Sequence, residues 1–293
     1  MSKWMLEDFS PAQVAWLRYF SAFAFFFAWV CLKSGIKGVL FFPKQTKERF
    51  WIVLMGLLTY CYSPLLQITG LKASQVSENA LMIAIEPILT VVLALVLFQE
   101  KVKFLEFIGL MLSLLGFVLL SDLIHEMQTQ SFSPHLMGNV LILCSLLGEA
   151  SFSVFGSQLS RKYSPVVIFG TSLALGLGFL TVYLSWMEKE VFQVFYWSAL
   201  FEKFSVRSFI ALLWLGPLGT AGGYLYALKA LSQASVSSVA LLLFVQPLVG
   251  ALLGSIFYGE RFSEVQWMGG CLMILSLGLS VGVSLENRAS ERK

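Results

Sequence analysis

The chain has 293 residues, 57% of them hydrophobic and 13% charged, with a net charge of +3 and a mean hydropathy of +0.78. A water-soluble domain carries about 25% charged residues. Composition therefore excludes a soluble enzyme and indicates an all-α protein that crosses the lipid bilayer many times. So small a net charge gives no footing for nucleic acid, and no nucleic-acid partner is expected.

Apolar runs long enough to span a bilayer are expected at Ala12–Leu32, Phe50–Leu71, Val76–Phe98, Phe104–Leu120, Leu136–Gln158, Pro165–Trp186, Ser208–Leu228, Ser235–Tyr258 and Val265–Leu285, nine in all. The segment Met187–Phe204 mixes Glu188, Lys189, Glu190, Glu202 and Lys203 with Phe192, Phe195, Tyr196 and Trp197. That pattern predicts a helix lying in the membrane interface. The four cysteines, Cys31, Cys61, Cys144 and Cys271, all sit inside apolar runs without a CxxC pair. They read as small packing side chains, and neither a metal nor another cofactor is expected.

The loops alternate in charge. One set holds Lys33, Lys37, Lys44, Lys47, Arg49, Lys101, Lys103, Arg161, Lys162, Lys229, Arg288, Arg292 and Lys293, thirteen in all, against five in the other, namely Lys72, Lys189, Lys203, Arg207 and Arg261. Positive charge stays inside, so the first set and the C-terminal tail face the cytoplasm. The loop Ser121–Pro134 contains Asp122 and Glu126 and no Lys or Arg, as an outside loop should.

The chain repeats itself. VSENALMIAIEP (Val76 to Pro87) lies over VSSVALLLFVQP (Val236 to Pro247), and Glu100 over Glu260, at an offset of 160. RFWIVLMGLL (Arg49 to Leu58) lies over RSFIALLWLG (Arg207 to Gly216), and Ser10-Pro11 over Ser164-Pro165. About 29 residues precede the second Ser-Pro from His135, but only Met1–Phe9 precede the first. The expected architecture is therefore two inverted five-helix repeats, with the first helix of repeat one reduced to a stub. The first repeat covers residues 1–123, the second 135–285, and a cytoplasmic tail 286–293.

Several residues carry the resemblance to a known family. They are the Ser-Pro entry with its arginine in SPAQVAWLRY (Ser10 to Tyr19), the mid-span prolines Pro87 and Pro247, and the matching runs FQEKVKFLEFIG (Phe98 to Gly109) and YGERFSEVQWMGG (Tyr258 to Gly270). Each half resembles an EamA domain of the drug/metabolite transporter superfamily. The resemblance implies ten helices, a central cavity, alternating access and a small-molecule substrate. An amino-acid-like compound or a drug is the expected cargo, and a bacterial inner or plasma membrane the expected address. The short first repeat leaves one alternative, a degenerate membrane protein that no longer transports.

Ionisable groups at membrane depth are costly and by default face a cavity or a partner. Glu86 lies about ten residues into its span, directly before Pro87. At 100° per residue, Gln75, Asn79 and Glu86 fall within about 20° of one stripe, and Ser235 and Gln246 occupy the equivalent stripe of the second half. Ser145, Glu149, Ser153 and Gly156 form another stripe, suited to cavity lining or to close helix packing. Arg18 could meet a substrate carboxylate or a cavity glutamate. Tyr60 and Gln67 share a face near Ser63, as do Thr220 and Tyr224. The expected cavity residues are thus Glu86, Asn79, Gln246, Glu149, Tyr60, Gln67, Tyr224 and Arg18, with helix breaks at Pro87 and Pro247. Glu86 or Glu149 could couple transport to protons. The two histidines, His125 and His135, sit in or beside an outside loop, and GxSxG and HExxH motifs are lacking. An intramembrane enzyme is therefore not expected. A reporter fused after Lys293 should read cytoplasmic; a signal from the opposite side of the membrane would overturn the charge-based orientation.

Overall fold

The computed structural model describes residues 2–34, 43–73, 85–100, 102–120, 136–187, 204–246, 248–249 and 263–291. Among them the backbone is helical, with short turns and no strand. Five helices are long and apolar enough to cross a bilayer: Pro11–Lys33, Thr46–Ala73, Met137–Ser160, Pro165–Trp186 and Val206–Leu231. Three shorter apolar helices, Glu86–Phe98, Phe104–Leu119 and Glu264–Leu279, fall on further expected spans. Of the remaining span, 235–258, residues 247 and 250–258 lie outside the described residues, as does the expected interfacial segment from 188 to 203.

The chain divides into two compact units, and these do not follow its two halves. Residues 1–75 and 137–233 form one unit; residues 76–136 and 234–293 form the other. The first unit contains α1 (Ser2–Asp8), α2 (Pro11–Ser34), α3 (Thr46–Ala73), α4 (Leu136–Ser160), α5 (Pro165–Met187) and α6 (Val206–Leu231). In it, Ser10 and Gln13 cap the start of α2 reciprocally: the Ser10 N–H donates to Gln13 Oε1 at 3.0 Å, and the Gln13 N–H to Ser10 Oγ at 3.3 Å. The expected N-terminal stub is the short helix α1. It is tied to α6 by Asp8, which accepts from the Ser208 hydroxyl at 2.5 Å and the Ser205 N–H at 3.2 Å. A second carboxylate tie holds α3 to the α4–α5 turn. Glu48, 2% exposed, accepts from Lys162 Nζ at 2.7 Å and from the Tyr163 hydroxyl at 2.5 Å. That bond to Glu48 raises the Tyr163 phenol above its usual range.

Two helices of this unit depart from α geometry. α3 takes a π-helical turn at Leu58–Tyr62, and α6 takes one at Trp214–Gly222. Proline explains both. Pro64, just past the first turn, and Pro217, inside the second, each lack the N–H that would bond the preceding turn. Helix closure slips to donors five residues on: the Ser63 N–H reaches the Leu58 carbonyl, and the Gly223 N–H the Leu218 carbonyl. Aligned on Arg49 and Arg207, the two turns overlap in the two halves of the sequence.

Close helix approach in this unit depends on missing side chains. A Cβ on Gly148 would lie 2.5 Å from the Leu58 carbonyl oxygen and 2.6 Å from Ser63 Cβ. One on Gly176 would meet the Gly56 carbonyl at 2.6 Å, and one on Gly70 the Gly138 carbonyl at 2.6 Å. Small residues in facing pairs are how apolar helices pack where no water drives them together.

The second unit contains α7 (Glu86–Phe98), α8 (Phe104–Leu120), α9 (Val236–Leu242) and α10 (Glu264–Glu291). Its core is Val91, Leu110, Phe117, Ala240, Leu241, Phe244 and Met273. α7 ends on Gln99 in the left-handed conformation, at φ 51°, which stops the helix where glycine usually would. Ser113 and Ser276 bond each other across α8 and α10. Glu106, 2% exposed, accepts from the Ser235 hydroxyl at 2.7 Å, the Ser238 hydroxyl at 2.9 Å and the Lys103 N–H at 3.1 Å. One carboxylate thus caps α8 and grips the start of α9. α10 continues past Leu285 to Glu291, so most of the expected tail is helical.

Gly148→Ala should lower stability by about 1–3 kcal/mol, because rigid backbone sits where the methyl must go. Gly178→Ala, with nothing within 4 Å of its added Cβ, should leave the melting temperature unchanged. Thermal unfolding of both variants in detergent micelles checks the pair.

Candidate functional site

The first unit holds a buried polar cluster between apolar helices. Glu149 on α4 is its centre. Its Oε1 accepts from the Ser63 hydroxyl at 2.9 Å and its Oε2 from the Tyr224 hydroxyl at 2.8 Å. A half-buried carboxylate between apolar helices needs such donors, because its desolvation costs several kcal/mol. Both donors flank the π-helical turns. Ser63 follows the turn of α3, and Tyr224 stands one residue after Gly223, which closes the turn of α6.

Arg18 on α2 supplies the opposite charge. Its Nε donates to Thr220 Oγ1 at 2.8 Å, and Thr220 Oγ1 donates to the Leu215 carbonyl at 2.8 Å. Thr220, inside the second π turn, thus orients the guanidinium while satisfying a carbonyl of its own helix. The guanidinium also lies over the Tyr19 ring, 5.3 Å from its centroid. Arg18 and Glu149 are close enough to interact electrostatically.

Aromatic rings wall the cluster. Tyr60, within the first π turn, stands 5.4 Å from Tyr19 and 5.4 Å from Tyr224, centroid to centroid. Phe152 meets Tyr224 edge-on at 4.7 Å, and Phe26 meets Phe169 edge-on at 4.9 Å. Tyr19 and Tyr60 are fully buried, and neither hydroxyl makes a close hydrogen bond, although Tyr224 stands beside the first and Ser172 beside the second. An orphaned buried hydroxyl costs about 1–3 kcal/mol, and Thr90, Asn139 and Ser157 are in the same position elsewhere among the described residues.

Of the expected cavity residues, the structure brings together Arg18, Tyr60, Glu149 and Tyr224, with Ser63 and Thr220 as their partners. Gln67 is half-buried further along α3 and makes no hydrogen bond to the cluster among the described residues. Glu86 and Pro87 belong to the second unit, where Glu86 is half-buried and Pro87 buried in the first turn of α7. A proline there removes only an N–H that has no helical partner. Gln246 is exposed in the same unit, and Asn79 and Pro247 lie outside the described residues. Sequence reasoning missed Tyr19, Phe152, Phe169 and Phe26. The signal for two of them was present, because Ala15, Tyr19, Ala22 and Phe26 recur at helical spacing and all are buried. The buried carboxylates Glu48 and Glu106 were also missed, each standing in the first turn of its helix.

The profile of the EamA-like transporter family matches residues 1–122 and 136–282. The chain belongs to this family. It is similar to the uncharacterized transporter YdfC of Bacillus subtilis, at 22% identity over 92% of this chain and 81% of the relative. It is 23% identical to an uncharacterized transporter of Archaeoglobus fulgidus, over 95% of this chain and 91% of that one. The inner membrane transporter YedA of Escherichia coli K12 is 25% identical over 90% and 79%. A solved crystal structure superposes with a TM-score of 0.70 at 15% identity, covering 94% of this chain and 87% of the other, which establishes a shared fold. The protein is therefore a multi-pass membrane transporter. Family and relatives are named for transport rather than catalysis.

Proposed function

We propose that the protein is a secondary transporter that moves a small metabolite, amino-acid-like or drug-like, by alternating access between two inverted repeats. The observation that carries this reading is the Arg18–Glu149 cluster, two opposite, half-buried charges among aromatic rings at paired π-helical turns. Charges at membrane depth are expensive, and π turns recur at functional sites. The Tyr19 and Tyr60 hydroxyls beside the two charges make no close hydrogen bond, which leaves donors for a ligand. The repeats run over residues 1–123 and 135–285 in nine full spans plus the stub, with residues 286–293 in the cytoplasm.

Glu86 and Glu149 are the carboxylates through which protons would couple to transport. Glu86 begins α7, half-buried, beside Pro87. Glu149 reports directly on the cluster.

The test is uptake into proteoliposomes across a panel of small metabolites, repeated from pH 5.5 to 8. Glu149→Gln should fold and lose uptake at least tenfold, because it alters the charge that the cluster is built around. Glu86→Gln should retain uptake and lose its pH dependence. Wild-type rates in Glu149→Gln would remove the cluster from the transport path. A pH profile unchanged in Glu86→Gln would assign the proton role to Glu149.

A further inference from the structure

The geometry points to a carboxylate as the group this cluster recognises, held by Arg18 with the hydroxyls of Tyr19 and Tyr60, so that the cargo is a small carboxylic acid with an apolar body. This inference rests on reading the cluster as the transport site, and it follows from which hydrogen-bonding valences are left open.

Each oxygen of Glu149 already accepts a hydroxyl, Oε1 from Ser63 and Oε2 from Tyr224. Thr220 Oγ1 accepts from Arg18 and gives its own proton to the Leu215 carbonyl. Glu149 is thus held by two donors, with a second lone pair left on each oxygen. The cluster also keeps donors that no acceptor takes. Among the described residues Arg18 bonds through Nε, which leaves the two terminal NH2 groups of its planar fork. The Tyr19 and Tyr60 hydroxyls are fully buried and make no close hydrogen bond, with Tyr224 beside the first and Ser172 beside the second. Tyr19 lies beneath the guanidinium, 5.3 Å from centroid to Cζ, and Tyr60 is 5.4 Å beyond it, ring to ring.

A site with spare donors and a cation calls for an anionic acceptor. A carboxylate fits the arginine fork with two parallel bonds and takes further donors on its outer lone pairs. An organic ammonium could reach the remaining lone pairs of Glu149, but it would leave the arginine fork unanswered and would stand in the field of the Arg18 charge. A neutral sugar would leave the arginine charge unanswered. The rings of Tyr60, Phe152 and Tyr224 offer an apolar wall for the remainder of the molecule.

Three probes of one shape separate these cases: phenylacetate, phenylacetamide and phenethylamine, each titrated against the full-length protein in nanodiscs by thermal shift and by calorimetry. The expected result is binding of phenylacetate and at least tenfold weaker binding of the amide and the amine. Tyr60→Phe should weaken phenylacetate about tenfold, the worth of one hydrogen bond to a charged group. Arg18→Lys keeps the charge, removes the fork and should weaken binding by tenfold or more, which keeps the test valid should Arg18→Gln fail to fold. Equal binding of acid and amide overturns the inference, as does a wild type that phenylacetate fails to shift. If phenethylamine binds instead and Glu149→Gln abolishes it, the carboxylate assignment falls while the cluster remains the transport site. If a metabolite is transported at wild-type rates by Arg18→Lys and Glu149→Gln alike, the site reading falls with it.

Discussion

A backbone carbonyl that loses its donor inside a membrane has no water to turn to, and much of the first unit follows from that constraint. Pro64 and Pro217 each remove one N–H from the interior of an apolar helix. The chain responds with π-helical turns, which pass the bond to a donor one residue further on. The extra residue changes which side chains face inward. Tyr60 sits within one turn and Thr220 within the other, with Ser63 and Tyr224 just beyond them. These four residues, with Arg18, hold or surround Glu149. The prolines have no N–H to give the cluster, yet they set the helix geometry from which it is assembled.

Charge balance is the second constraint. A lone arginine or glutamate at this depth would cost several kcal/mol. Here each is held by hydroxyls, Arg18 by Thr220 and Glu149 by Ser63 and Tyr224, with the two charges near each other but not in contact. Direct pairing would satisfy the guanidinium and leave it nothing to offer. Bonding each charge to hydroxyl groups instead keeps the terminal NH2 groups of Arg18 open. The other buried carboxylates show the contrast. Glu48 pairs with Lys162 and Tyr163, and Glu106 is surrounded by Ser235, Ser238 and the Lys103 N–H. Both tie helices together at their ends, where a saturated carboxylate serves best.

Much of this was legible in the chain itself. Sparse charge and long apolar runs gave an all-helical membrane protein, and the stripe through Glu149 and the shared faces of Tyr60 with Ser63 and of Thr220 with Tyr224 marked five positions of the site. Helical periodicity says which residues share a face, but not which faces meet. That is why Glu149 and Tyr224, 75 positions apart, were both expected to line the cavity, while the bond between them shows only in the structure. Tyr19 was passed over because the charge of Arg18 beside it drew the attention, although Tyr19 lies on the buried stripe of α2. The π turns were hidden because the stripe argument assumes 100° per residue throughout, which fails at Pro64 and Pro217. Glu86 stood out by depth and by its proline, both properties of one helix alone, and neither reports what packs against it.

The central claim is that the cluster lies on the transport path and is reached from each side of the membrane in turn. Substituted-cysteine labelling tests it most directly. In a chain whose four native cysteines are replaced, Thr220→Cys is exposed to a membrane-impermeant thiol reagent from inside and from outside sealed vesicles. The account predicts labelling from both sides, slowed by a bound substrate. A cysteine at Thr220 that resists the reagent from both faces, in protein that still transports, would contradict it.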